Sequence, residues 1–250
     1  MSVLKTEAIT LGRTDYSDSS QIIVFYTRDY GKIHTIAKGF KRNSKKYGTK
    51  TIDLLTCYQI LFIKKEHSSL YTLTEAILQN NYQPVRNDLD KYYKASYIAE
   101  LVKEFTEEND TNKPFFDIFL DTLTGISNST NSAVWLLSFE LKMLKVLGYL
   151  PELRSCINCK NSIQLMREVL FNAKEGGVLC ELCQSNIRNG VVVPAGAVVI
   201  ANKLVDVNIH RLERVKIQSS ICIEIEKMLR YYITYILSKE TNSCKYITFR

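Results

Sequence analysis

The chain has 250 residues, 46% of them hydrophobic and 24% charged, and a formal net charge of +7. That apolar content excludes an intrinsically disordered chain and supplies one large core or two to three small ones. No apolar run approaches the ~20 residues of a membrane-spanning helix, and the opening MSVLKTEAIT has no apolar core after its lysine, so a cytoplasmic chain with no membrane partner is expected.

Residues 1–80 read as strands. The stretch QIIVFYT, Gln21 to Thr27, is rich in β-branched and aromatic residues; RDYG then turns the chain, and KIHTIAKG follows with alternation, which predicts a hairpin. Further strands are expected over Val3 to Leu11, Leu54 to Lys64 and Leu70 to Ala76. Five short strands in eighty residues suggest a small barrel, for which the five-stranded OB-fold is the model, a frequent binder of nucleic acids and sugars.

The charge sits in this region. Arg28 to Lys50 holds eight basic residues against the single acid Asp29, a local excess of +7, so the rest of the chain sums to zero. In the second hairpin strand Lys32, His34, Ile36 and Lys38 share a face, because successive side chains of a strand point to opposite sides. That face leads into KGFKRNSKKYGTK, Lys38 to Lys50, with six basic residues and no acid. Such a run is often no more than a solvated surface, but on an OB barrel it predicts a groove that follows a phosphate backbone. The expected contacts are Lys38, Lys41, Arg42, Lys45 and Lys46, with Arg13, Arg28, Lys32 and His34 on the same surface and Phe40 or Tyr47 stacking on bases.

Residues 81–150 turn helical. Leu89, Tyr93, Tyr97, Leu101 and Phe105 recur every fourth position, which predicts a helix of about twenty residues capped by Asn87 or Asp88. A second helix is expected from NKPFFDIFLDTL and a third from about Ser132 to Gly148, with Pro151 just beyond.

Residues 151–194 form a cysteine module. CINC (Cys156, Cys159) and CELC (Cys180, Cys183) lie twenty residues apart. Each C-x2-C presents two thiolates on one knuckle, and two knuckles supply four sulfurs to a tetrahedral Zn2+. Four sulfur ligands leave zinc no open position, so the site is expected to be structural. Gly176 and Gly177 allow the bend before the second knuckle. Cys57, Cys222 and Cys244 have no such spacing and are expected to be core or surface thiols. Residues 195–250 return to helical spacing.

No phosphate loop, dinucleotide fingerprint, zinc-protease motif or nucleophile elbow occurs, and His34, His67 and His210 are scattered, so no catalytic residue and no enzyme is expected. From the residues alone three readings remain: a DNA-binding protein, an RNA-binding or ribosome-associated OB and zinc protein, and an adaptor that binds protein partners through its helices and zinc module.

Four stretches in order resemble the RecO family of bacterial recombination mediators. Thr6 to Lys46 is similar to the family's opening, with DYSD as its D-Y-x-[DE] turn, TRDYGK as its T-R-x-x-G-K hairpin and KGFKR as its K-G-x-[KR]-[KR] loop. Leu70 to Val102 resembles the passage from last strand to first helix, FELKMLKVLGYLPELRSCINC the helix-to-zinc junction, and ILSKETNSCKYI the C-terminal end. The resemblance implies an α+β chain: an N-terminal OB-fold barrel, then a helical domain (81–150 and 195–250) with an inserted four-cysteine zinc module. It also implies binding of single- and double-stranded DNA, annealing of complementary strands, and action with RecR to load RecA onto strands covered by single-strand binding protein (SSB). Its implied partners are DNA, RecR, the SSB C-terminal tail and, indirectly, RecA, in a bacterial, nucleoid-associated setting.

Overall fold

The computed structural model describes residues 2–40, 44–47, 51–64, 70–185 and 189–249. The chain divides into two compact units, residues 1–127 and 128–250. Among the described residues no helix is long and apolar enough to cross a membrane.

In the first unit β1 (Ser2–Asp15), β2 (Gln21–Thr27), β3 (Gly31–Ala37), β4 (Cys57–Lys64) and β5 (Leu70–Asn80) close a barrel in the order β1-β2-β3-β5-β4. This is the OB arrangement. β1 outruns the expected Val3 to Leu11 because it serves two neighbours. Ser2 to Ile9 run against β4 and Ala8 to Asp15 against β2, with a bulge between Thr10 and Gly12 that bends the strand from one partner to the other. Closure depends on a parallel pairing of β3 with β5 that is only three residues long, His34 to Ile36 beside Leu70 to Thr72. Ala8, Ile23, Phe25, Ile33, Ile60, Phe62, Tyr71 and Leu73 fill the interior.

Phe40 and Tyr47 join this core, which corrects the expectation that they stack on bases. They are 5% and 2% exposed, with ring centroids 5.3 Å apart in an edge-on contact. A 3-10 turn at Ser44–Tyr47 delivers the tyrosine, whose hydroxyl donates to the Lys38 carbonyl at 2.6 Å. The physical reason is the barrel's apolar cluster: packing two rings into it removes more apolar area from water than displaying them would.

Three helices follow in this unit: α1 (Gln83–Arg86), α2 (Leu89–Phe105) and α3 (Lys113–Asn128). Asp88 caps α2, accepting from the Asp90 and Lys91 amides at 3.0 and 3.2 Å. α3 lays Phe115, Phe116 and Phe119 around Tyr26 of β2, with centroid distances of 5.6, 6.1 and 6.5 Å, and so covers part of the barrel's outer wall. Between α2 and α3 the chain runs along β3: the Asn109 amide donates to the Lys32 carbonyl at 2.9 Å, and Glu108 bridges Lys32 in parallel sense. Gly31 makes room for it. Its φ is +63°, and a Cβ there would lie 2.0 Å from the Asp110 carbonyl oxygen.

The second unit contains α4 (Ser132–Val146), a three-stranded sheet in the order β7-β6-β8, α5 (Ala195–Asp206) and α6 (Ser219–Leu237). The strands are β6 (Glu168–Asn172), β7 (Gly177–Leu179) and β8 (Val191–Pro194). Gly148, at φ +80°, ends α4, and the Tyr149 amide turns back to the Leu144 carbonyl at 2.7 Å. The three helices pack on one another, and Phe171 of β6 meets Tyr231 and Tyr232 of α6 edge-on.

Replacing Tyr47 by Ala is expected to cost about 3 kcal/mol of stability, as for other buried aromatics. A denaturant titration checks this: a lower midpoint with an unchanged slope is the signature of a lost core contact.

Candidate nucleic-acid interface and metal centre

Phe40 and Tyr47 are buried in the barrel's apolar cluster, and Lys38 and Lys45 beside them are exposed. Lys41 and Arg42 lie outside the described residues, as does the side chain of Lys46, whose backbone belongs to the 3-10 turn.

The other four predicted contacts are engaged within the first unit. Arg28 donates to Glu7 through Nε and Nη2 at 3.1 and 3.0 Å, pairs with Asp117, and lies 4.8 Å above the Phe116 ring. Arg13 donates to the Ile52 carbonyl at 3.1 Å and to Asp53 at 3.2 Å. His34 Nε2 is 3.3 Å from Glu108 Oε1. The Lys32 ammonium donates to the Lys103 carbonyl at 2.6 Å and to that of Thr106. Burial pulls the Lys32 ammonium below its ordinary pKa, against the raising influence of Glu107, Glu108 and Glu104. The strand face that reads as basic in sequence is therefore met by an acidic strap, Glu107 to Asp110, more than seventy residues later. Its signal was the run TEEND between two helices; its docking partner left no local sign.

The four cysteines of the two knuckles converge. The Sγ atoms of Cys156, Cys159, Cys180 and Cys183 all lie within 4.8 Å of one another, and those of Cys159 and Cys180 are 3.7 Å apart. A tetrahedron with metal–sulfur bonds of about 2.3 Å has sulfur–sulfur edges of about 3.8 Å, so the four can hold one metal ion. Each knuckle is a tight turn: the Lys160 amide donates to the Cys156 carbonyl at 2.9 Å, and the Cys183 and Gln184 amides to the Cys180 carbonyl at 3.0 and 3.1 Å.

Gly176 takes the bend expected of it, at φ +70°, whereas Gly177 serves close packing. A Cβ at Gly177 would stand 2.6 Å from Ile157 Cγ2 and 2.8 Å from the Glu152 carbonyl oxygen, so only glycine lets the first knuckle lie on the β6–β7 hairpin. That three-stranded platform was missed in sequence because EVLFN and VVVP are short and lack clear alternation.

Burial alone would raise the Cys156 thiol, yet amides of Cys180, Cys159 and Asn158 point at its sulfur and draw it down to about 6. Cys183 is pushed up to about 12, first by its hydrogen bond with Cys180. One sulfur is thus prepared as a thiolate, while its neighbour needs a cation before it can ionise beside the others. The remaining thiols, Cys57, Cys222 and Cys244, are buried apart from the cluster.

Comparison with known proteins places this architecture. The family model described as Recombination protein O N terminal matches residues 1–82, and that described as Recombination protein O C terminal matches residues 86–244. The chain belongs to the RecO family. Similar RecO-family relatives include the DNA repair protein RecO of Syntrophus aciditrophicus, 30% identical over 96% of this chain and 93% of that one. The DNA repair protein RecO of Caldanaerobacter subterraneus subsp. tengcongensis is 27% identical over 97% and 96%. That of Halalkalibacterium halodurans is 33% identical over 72% and 68%. The two family matches meet between residues 82 and 86, where β5 gives way to α1.

This RecO-family chain is expected to purify with one divalent ion, and Cys156→Ser or Cys180→Ser to reduce that to near zero. Elemental analysis of dialysed protein checks the stoichiometry. Because the sulfurs must be deprotonated to bind, ion affinity falls as pH drops, and a competition with a chromophoric chelator across pH 6–8 (about two decades of proton activity) reads that slope.

Proposed function

We propose that this chain, whose family membership carries a role in DNA repair and recombination, is a non-enzymatic mediator that binds single- and double-stranded DNA and anneals complementary strands. With RecR it would help load RecA onto SSB-covered DNA in the bacterial cytoplasm, meeting the SSB tail directly and RecA indirectly. The observation that carries the reading is the exposure of Lys38 and Lys45 beside two aromatics buried in the core of an OB barrel.

Arg13, Arg28, Lys32 and His34 have partners of their own, whereas Lys38 and Lys45 are exposed, and a phosphate backbone is a natural counter-ion for them. Each neutralised phosphate releases condensed counterions, so affinity falls steeply with salt and depends weakly on sequence. Two strands that repel in solution can be held close over such a surface until they pair. With Phe40 and Tyr47 buried, grip comes from phosphate contacts and not from stacking on those rings. We assign the four-cysteine ion as Zn2+, in keeping with soft thiolates and tetrahedral spacing, and its role as structural, since the four sulfurs fill the coordination shell.

The test is fluorescence anisotropy of a labelled single-stranded oligonucleotide, titrated with salt, for wild type and a variant with Lys38, Lys41, Arg42 and Lys45 changed to Glu. Losing four phosphate contacts lowers the log–log salt slope by about 3, and annealing should slow in parallel. An RNA competitor of the same sequence that displaces the DNA at lower concentration would favour an RNA-binding role. Equal binding by both proteins would move the grip away from the loop.

A further inference from the structure

A second surface with the chemistry of a phosphate site lies in the second unit, beside the first cysteine knuckle. A cavity of about 460 Å³ opens there between the knuckle and α5. Its lining carries three cations, Arg154, Lys160 and Lys203, with neutral donors such as Ser155, Gln164 and Asn202 and apolar side chains including Leu153 and Ile163. Among the described residues no carboxylate lines it. Cations with hydroxyl and amide donors suit phosphate oxygens, and apolar side chains suit the sugar or base edge of the same strand.

The neighbouring cations are held by partners in the fold, whereas these are held only weakly. Lys142 caps the end of α5 through the Val205 and Val207 carbonyls at 2.9 and 2.6 Å, and Lys145 takes Asp206 at 2.7 Å. Arg154 is left with long contacts, 3.4 Å to Asn202 and 3.5 Å to the already paired Asp206, and its side chain is 71% exposed. Such contacts exchange readily for a stronger acceptor. Among the described residues Lys160 bonds the Ile157 carbonyl of its own knuckle at 2.8 Å and enters no ion pair, and neither does Lys203.

We propose that this groove is a second nucleic-acid contact, which takes the phosphate backbone of a strand on Arg154, Lys160 and Lys203. The inference rests on the DNA-binding reading and deepens it. A chain with one phosphate surface on each compact unit can engage two strands at once, whereas a lone loop must accommodate both.

The experiment is lysine footprinting of the full-length, metal-loaded protein: acetylation with and without a 30-mer single strand, read by mass spectrometry, alongside anisotropy of an R154E/K203E variant. The expected result is several-fold protection of Lys160 and Lys203 in wild type. In the variant, the salt slope should fall by about 1.4 for two lost phosphate contacts, and annealing should fall about tenfold. DNA binding with both lysines unprotected, and a variant that anneals like wild type, would overturn the groove while leaving the loop reading intact. A wild type with no salt-sensitive DNA binding would remove the DNA reading and the groove with it. Protection by polyglutamate but not by the 30-mer would overturn the assignment in favour of an acidic peptide.

Discussion

A five-stranded barrel must join its third strand to its fifth, and in this chain the joint is three residues long. His34 to Ile36 lie parallel to Leu70 to Thr72, and beyond that stretch β5 leaves the edge of β3 at Gly31 and Lys32 without a strand partner. Unpaired strand edges are costly when buried and sticky when exposed. The connection between α2 and α3 answers both problems, with the Asn109 amide on the Lys32 carbonyl and the Tyr71 hydroxyl on the Asn109 side chain at 2.5 Å. Because this connection is acidic, covering the edge also neutralises the strand. The barrel's closure therefore engages the charge on the wall of β3 and leaves that of Lys38 and Lys45, after it, exposed.

The second unit meets a different constraint. Its three strands are three to five residues long, too short to hold a platform by pairing alone. Two devices compensate: four converging sulfurs and the close approach at Gly177. A bound ion would make folding of the module and assembly of the cluster one event, since the sulfurs meet only when both knuckles and the hairpin are in place.

Much of this was legible in the residues. The strands Gln21 to Thr27 and Gly31 to Ala37, the Asp88 cap, the Gly148 stop and the four sulfurs all rest on local chemistry, and local chemistry can be read locally. What was not legible depends on tertiary context. Phe40 and Tyr47, set among lysines, look like a stacking platform until the barrel core that takes them in is known. Lys32 and His34 look like free charge until Glu108 arrives from a distant turn. β6 to β8 carry too few residues for a period to show, and the groove at Arg154, Lys160 and Lys203 gathers residues up to forty-nine positions apart.

The anchoring of the basic loop also constrains how this stretch can vary. Two positions, Phe40 and Tyr47, bind it to the fold; Lys38 and Lys45 beside them are exposed and contribute charge without contributing to the core. Basic residues at such exposed positions can trade places at little cost to folding, provided that the two rings stay buried. Across generations such a loop should hold its aromatic spacing and its total charge while its basic residues wander, so that number, and not order, is what selection can act on.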